Sequence, residues 1–174
     1  MTDNDFVVLF VGSGFERKGV KYLIDAVKSI SKPVSLMIVG KGSAMRFEKM
    51  SGNQKIIFSG PQKDVYKYYA AADIFVFPTI YEPFGNVHLE ALASGLPVIT
   101  TKKSGAAEII ENGKHGFVVE KPENIGEIAE RIKYLMDTNI LERMSVEARK
   151  IAETFSFENH IKKMMKLYSA IKND

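Results

Sequence analysis

Six short runs of this chain are apolar at nearly every position, and most are followed by a stretch with helical spacing. The runs are FVVLFVG (Phe6–Gly12), VSLMIVG (Val34–Gly40), KIIFSG (Lys55–Gly60), DIFVF (Asp73–Phe77), PVITT (Pro97–Thr101) and GFVVE (Gly116–Glu120). A strand with one wet face alternates apolar and polar residues, whereas a strand covered on both faces does not. These runs therefore demand helices above and below them. GVKYLIDAVKSI (Gly19–Ile30) puts Val20, Leu23, Ile24, Val27 and Ile30 on one helical stripe, and Pro33 stops it. DVYKYYAAA (Asp64–Ala72) reads as a short helix with Asp64 as its N-cap. Gly85–Ser94 reads as a helix ended by Gly95 and Pro97. Three more helical stretches close the chain, Glu123–Asp137, Ile140–Thr154 and Phe157–Ile171.

Strands alternating with helices imply right-handed βαβ units and a parallel sheet. The expected fold is α/β, a doubly wound, Rossmann-like parallel sheet of about six strands with helices on both faces. GFVVE is expected at an edge. No internal repeat or long linker divides the chain, so residues 1–174 are expected to form one domain.

Composition removes several classes. With 45% hydrophobic residues the chain can bury a large core, yet no run approaches the length of a membrane span. The start, MTDNDFVVLF, lacks the basic n-region of a signal peptide. There are no cysteines, which excludes disulfides and thiol chemistry and fits a reducing, cytoplasmic setting. A net charge of +3 does not call for nucleic acid, and phosphate-bearing substrates suit it equally.

Two loops carry chemistry. The first is Gly12-Ser13-Gly14-Phe15-Glu16-Arg17-Lys18-Gly19, between the first strand and the first helix. Gly14 lets a backbone approach a ligand, and a helix N-terminus favours anions. Arg17 and Lys18 add positive charge at a place where the helix dipole opposes it unless an anion is bound. A dinucleotide fingerprint needs glycine where Arg17 stands, and a P-loop needs lysine and a hydroxyl residue where Val20 and Lys21 stand.

The second is EPFGNVHLE, in which Glu82 and Glu90 are eight positions apart. It follows the DIFVF strand, so it is a strand, a sharp loop and a helix. Pro83 pushes Glu82 out of helical geometry. Glu82 thus belongs to the loop, and Glu90 is expected in the second turn of the helix. Loops at the carboxyl edge of an open parallel sheet are where ligands bind. Carboxylates accept hydrogen bonds from sugar hydroxyls. Leu89, Ala91 and Leu92 suggest a largely buried helix, where an unpaired Glu90 is costly. Phe84, Gly85, Asn86 and Val87 open that helix with pre-oriented backbone donors.

These pieces, with LMIVGKG, IIFSGPQKDVYKYYAAADIFVFPT and EALASGLPVITTKKSGAAEIIENGKHGFVV in this order and spacing, resemble one family. It is the retaining GT-B glycosyltransferases of the group 1, family 4 type, which holds sucrose synthases and lipopolysaccharide-core glucosyltransferases. The resemblance runs from Val7 to Tyr168 and is to the C-terminal, donor-binding domain. It implies that Arg17 and Lys18 grip the donor diphosphate and that Glu90 binds the ribose. Glu82, the catalytic-site residue, is implied to contact the transferred hexose. Backbone groups at Phe58-Ser59-Gly60 are implied to meet the nucleobase. Ser13 stands where many members carry a further arginine. The donor implied is a UDP-sugar, UDP-glucose first and GDP-mannose second, and no other cofactor is expected. The partner implied is an N-terminal acceptor domain absent from this chain, so the isolated domain is expected to be inactive. The setting implied is cell-envelope glycan or glycolipid synthesis, as in lipopolysaccharide, at the inner face of the membrane. A sugar-nucleotide-binding module without activity is the alternative.

Other features weigh less. His88, His115 and His160 lack metal-ligand spacing, and no metal site is expected. His88 lies in the motif and is a minor candidate for facing the cleft. Asp3-Asn4-Asp5 reads as terminal tail. Tyr66, Tyr68 and Tyr69 read as packing of a short helix. Ser104-Gly105 reads as a tight turn into a helix bearing Glu108, with Ala107, Ile109 and Ile110 as its stripe. The last helix, with Ile161, Met164, Met165, Leu167, Tyr168 and Ile171 among lysines, is amphipathic and basic. Such helices pack on a neighbouring domain in GT-B folds or associate peripherally with membranes.

Overall fold

The computed structural model of the 174-residue chain describes residues 5–48 and 54–172. One sheet of six parallel strands lies at its centre, in the order β3-β2-β1-β4-β5-β6. The strands are β1 (Phe6–Val11), β2 (Val34–Val39), β3 (Lys55–Gly60), β4 (Ile74–Phe77), β5 (Val98–Thr101) and β6 (Gly116–Val119). The helices are α1 (Val20–Lys28), α2 (Ala44–Glu48), α3 (Val65–Ala70), α4 (Val87–Ala93), α5 (Ile125–Leu135), α6 (Thr138–Thr154) and α7 (Phe157–Lys172).

The doubly wound reading is correct, and β6 is at the edge as expected. Burial explains why the strand runs are apolar throughout. Val8, Leu9, Phe10, Leu36, Ile38 and all of β4 are shielded on both faces. The α1 stripe, Val20, Leu23, Ile24, Val27 and the following Ile30, is buried as its spacing required. Helix α1 packs with α5, and α4 packs with α6.

The order reverses direction at β1 and β4, which pair as Val8↔Ile74 and Leu9↔Phe75. This is the topological switch point. Chain leaving β1 turns one way and chain leaving β4 the other, and the crevice between the two exit loops is where open α/β sheets bind ligands.

Several local expectations need correction. Asp64 occupies the N-cap position of α3 but makes no cap bond, because its Oδ2 pairs with Lys67 Nζ at 2.7 Å. The helix expected at Gly85 starts at Val87, so Glu90 is in its first turn. After Ser104 there is only a five-residue 3-10 segment, Gly105–Ile109, capped by the Ser104 hydroxyl, and Ala106 is its buried residue in place of Ala107. Asp3 and Asn4 lie outside the described residues. Asp5 does not trail freely: its Oδ2 accepts from the Ser35 hydroxyl at 3.1 Å.

Candidate functional site

The two chemistry-bearing loops, 64 residues apart in sequence, meet at the switch point. Gly14 and Gly19 both have positive φ, 78° and 76°, which winds the loop after β1 tightly before α1 begins. A side chain at Gly19 would collide with the Pro78 carbonyl, so glycine there lets the β1 and β4 exits touch. The contact is then stitched. Ile80 N–H donates to Arg17 O at 3.0 Å, and the buried Thr79 hydroxyl lies 3.2 Å from Arg17 O and 3.0 Å from Tyr81 O.

Glu82 is fixed by its own backbone. Its N–H donates to Lys103 O and its carbonyl accepts from Gly105 N–H, both at 3.0 Å. Gly105 allows this because a Cβ there would strike the Pro83 carbonyl. The Glu82 side chain points back to the first loop. Lys18 Nζ is in direct contact with Glu82 Oε2, and Arg17 Nη1 is 3.6 Å from the same oxygen. That oxygen is buried, and its compensation is the two positive charges. Arg17 also donates to Tyr81 O at 2.7 Å.

The two cations differ. The Arg17 side chain is 53% exposed, the Lys18 side chain only 11%, with its ammonium 5.0 Å from the centre of the Phe77 ring. Burial, and then the charge of Arg17, hold the Lys18 amine below the ordinary lysine value. Both residues precede the helix, which begins at Val20 behind Gly19. Arg17 thus projects to solvent, whereas Lys18 is packed against the core.

Glu90 is exposed, contrary to the buried position expected from its neighbours. It still has a partner. The Tyr69 hydroxyl donates to Glu90 Oε2 at 2.9 Å, with Val87 O at 3.4 Å. Asn86 is exposed ahead of α4, and Phe84 and Val87 are half-buried. The first backbone bonds of the turn run from His88 N–H to Gly85 O and from Glu90 N–H to Asn86 O. Gly85, at φ 75°, sits against Glu82 Cγ and the His88 ring, so it also sets the spacing between loop and helix.

His88 does not face the cleft. It is fully buried, stacked edge-on to Phe75 and Phe77. Its Nδ1 is 2.8 Å from Gly85 O, and its Nε2 is 3.0 Å from the Thr100 hydroxyl. A carbonyl only accepts, so Nδ1 carries the proton. Burial above all lowers its pKa to about 4, and Lys18 adds to the effect against the Gly85 bond. His88 is the post under the Gly85 turn.

Phe58 at the end of β3 is half-buried, with its ring 6.1 Å from that of Phe15. Its side chain is packing, and the backbone beyond it opens on a small cleft of about 200 Å³ lined by Gly12, Ser13, Gly40, Lys41, Pro61 and Val65. Ser13 accepts from Lys41 N–H at 3.3 Å, joining the β1 and β2 exits. On the other side of Glu82 a groove of about 680 Å³ runs along Tyr81, Pro83, Lys102, Lys103, Ser104 and Glu108. Lys102, Lys103, Thr79 and Tyr69 went unnoticed as parts of this region. A buried threonine after a strand proline was the one signal available for Thr79. No cluster suited to a metal ion occurs among the described residues.

The structure thus sets a basic loop and an acidic loop face to face across the switch point of a parallel sheet. Comparison with known proteins identifies the family. The chain belongs to the glycosyl transferases group 1 family, whose profile matches residues 2–151. It is 32% identical over 178 residues to an uncharacterised glycosyltransferase of Methanocaldococcus jannaschii, covering 95% of this chain and 45% of that protein. It is 32% identical over 157 residues to the lipopolysaccharide glucosyltransferase WaaG of Escherichia coli, covering 85% and 42%. The crystal structure of WaaG superimposes with a TM-score of 0.80 at 31% identity over 88% of this chain and 44% of that one. Anabaena HepE in complex with UDP-glucose gives 0.84 at 27% identity over 96% and 49%. The chain thus spans less than half the length of the curated relatives named here. No helix among the described residues is long and apolar enough to cross a membrane.

Proposed function

We propose that this chain is the donor-binding half of a retaining glycosyltransferase, with Met1–Asp174 as one nucleotide-sugar-binding unit. The observation that carries the reading is the convergence of Arg17, Lys18 and Glu82 at the switch point, in the loop that leads into α4 and Glu90. The donor diphosphate binds Arg17 and Lys18, the ribose binds Glu90, and the hexose hydroxyls meet Glu82. Amides of Phe84–Val87 and the cleft beyond Phe58 complete the surroundings of the sugar and base. Anabaena HepE, which binds UDP-glucose, supports a uridine donor, with UDP-glucose first and GDP-mannose second.

The negative charge between the two cations belongs to Glu82. A diphosphate is the stronger counterion and takes that place, which frees the Glu82 carboxylate to turn toward the sugar. When the sugar leaves, charge grows on the diphosphate, and Arg17 and Lys18 are already aimed at it. That is electrostatic stabilisation by preset charges in a partly dry site. Acceptor recognition and any acid or base belong to a domain outside this chain. WaaG and the capsular polysaccharide glycosyltransferase CapM of Staphylococcus aureus support a cell-envelope acceptor such as lipopolysaccharide or a capsule precursor. The short span relative to its relatives also keeps a second reading, a binding module that acts only with a partner domain.

Calorimetric titration with UDP-, GDP- and ADP-sugars tests the first reading, with binding of one nucleotide class expected and failure of all three overturning it. Turnover that appears only when a preceding acceptor domain is supplied distinguishes the half-enzyme from the silent module.

A further inference from the structure

Glu90 presents a problem that Tyr69 solves. A glutamate exposed on a helix surface samples many rotamers, and fixing it costs up to about 2 kcal/mol of side-chain entropy. A carboxylate meant to receive a pair of hydroxyls works best when that cost is met before the ligand arrives.

Tyr69 comes from a different element. It is on α3, 21 residues before Glu90, and only 3% of it is exposed. Its ring is wedged against Phe75 of β4, with centroids 6.1 Å apart. From that anchored position the hydroxyl reaches Glu90 Oε2 at 2.9 Å. Burial first, and the neighbouring Glu90 charge second, raise the pKa of the phenol, so it stays a donor throughout the ordinary pH range. A carboxylate has about four acceptor sites on its two oxygens. Tyr69 occupies one and leaves the others for a ligand.

We infer that Tyr69 is a positioning residue that holds the Glu90 carboxylate ready for the vicinal hydroxyls of a nucleotide ribose. The inference rests on the proposed role of Glu90 as the ribose acceptor. Tyr69 is too buried to form much of the ligand surface itself, so its effect passes through Glu90. The phenol also ties α3 to α4.

The experiment uses the 174-residue chain and titrates UDP, GDP and ADP, each beside its 2′,3′-dideoxy counterpart, against wild type, Tyr69→Phe and Glu90→Gln. Tyr69→Phe keeps the ring in the core and removes only the hydroxyl. For whichever nucleotide binds, Tyr69→Phe is expected to lower affinity about five- to tenfold, the scale of one ordinary intramolecular hydrogen bond. The dideoxy counterpart, already weaker, should bind wild type and Tyr69→Phe equally. A second readout needs no variant. The 13Cζ resonance of Tyr69 in the wild-type chain should shift on adding the ribonucleotide and stay in place with the dideoxy form. If Glu90→Gln leaves ribonucleotide binding unchanged, or no nucleotide binds, the ribose reading fails and this inference with it. If Glu90→Gln discriminates ribose but Tyr69→Phe does not, only the positioning role is overturned. Equal losses for ribo and dideoxy forms in Tyr69→Phe, or a Tyr69 resonance blind to ribose, overturn it too.

Discussion

At the residue scale, the site contains its own competitor. Arg17 and Lys18 would repel each other and oppose the dipole of α1, and Glu82 relieves both. Glu82→Gln keeps the shape and removes the charge. It is expected to tighten binding of inorganic pyrophosphate about fivefold, the scale of a modest ion pair, while weakening discrimination between UDP and a UDP-sugar. Isothermal titration with pyrophosphate, UDP and UDP-glucose checks this, and weaker pyrophosphate binding would count against Glu82 as the built-in counterion. The converse variant, Arg17→Ala with Lys18→Ala, should lower UDP affinity by about 3 kcal/mol or more if each phosphate bond has its usual strength. Uridine should bind as before. Lys18 packs over Phe77, so a small drop in melting temperature is expected as well. An equal loss for uridine and UDP would show that the pair holds the loops and does not read phosphate.

At the element scale, the turn into α4 depends on a neutral histidine. The folded pKa of His88, about 4, lies below its ordinary value of 6.5. The unfolded chain therefore binds the proton first as pH falls. Stability from this group is complete above about pH 6.5 and is lost between there and about pH 4, by roughly 3 kcal/mol from the width of that window. Chemical denaturation at pH 7 and pH 4.5 should show the loss, and His88→Gln should show a flatter pH dependence. An unchanged slope in the variant would assign the acid sensitivity to other groups. The strands and the long helices were legible because their apolar spacing is a local property. Each expected strand lies within a residue of its observed bounds at either end. Helix α2 was not, since Ala44–Glu48 is five residues with no full stripe, and the 3-10 segment at Gly105–Ile109 resembles a helix start over so short a span. The site was half legible. Glu82, Arg17 and Lys18 announce themselves as charges beside glycines at loop positions. Their mutual contact, and the bond from Tyr69 to Glu90, arise from folding strands at the switch point together, and no periodicity encodes a partner on another element. The burial of Lys18 and the exposure of Glu90 escape the local sequence for the same reason: each depends on what a distant loop covers.

At the scale of the whole molecule, the chain spans less than half the length of the curated relatives named above. The isolated chain is expected to bind a nucleoside diphosphate weakly and to transfer no sugar to any acceptor. Radiolabelled transfer assays with UDP-glucose measure this directly, and turnover by the purified 174-residue chain would sink the half-enzyme reading. Helix α7 leaves Phe157, Met165, Leu167, Tyr168 and Ile171 exposed. The groove between its start and Phe84 of the motif loop, about 670 Å³ and lined also by Asn86, Leu89 and His160, places that helix beside the candidate site.

The strand order also governs how the chain assembles in time. All neighbouring strands are parallel, so no pair closes through a tight hairpin. β1 to β3 form one three-stranded half within residues 6–60, and β4 to β6 form the other within residues 74–119. The halves join at a seam registered at only two residue pairs, between β1 and β4. Docking of the two halves is therefore expected late in folding, and the first opening of the native sheet is expected along the same line. A nucleotide lying across the switch point would bridge that seam as a removable rivet. Nucleotide should then slow hydrogen exchange at β1 and β4 together, and leave exchange within each half to its own local clock.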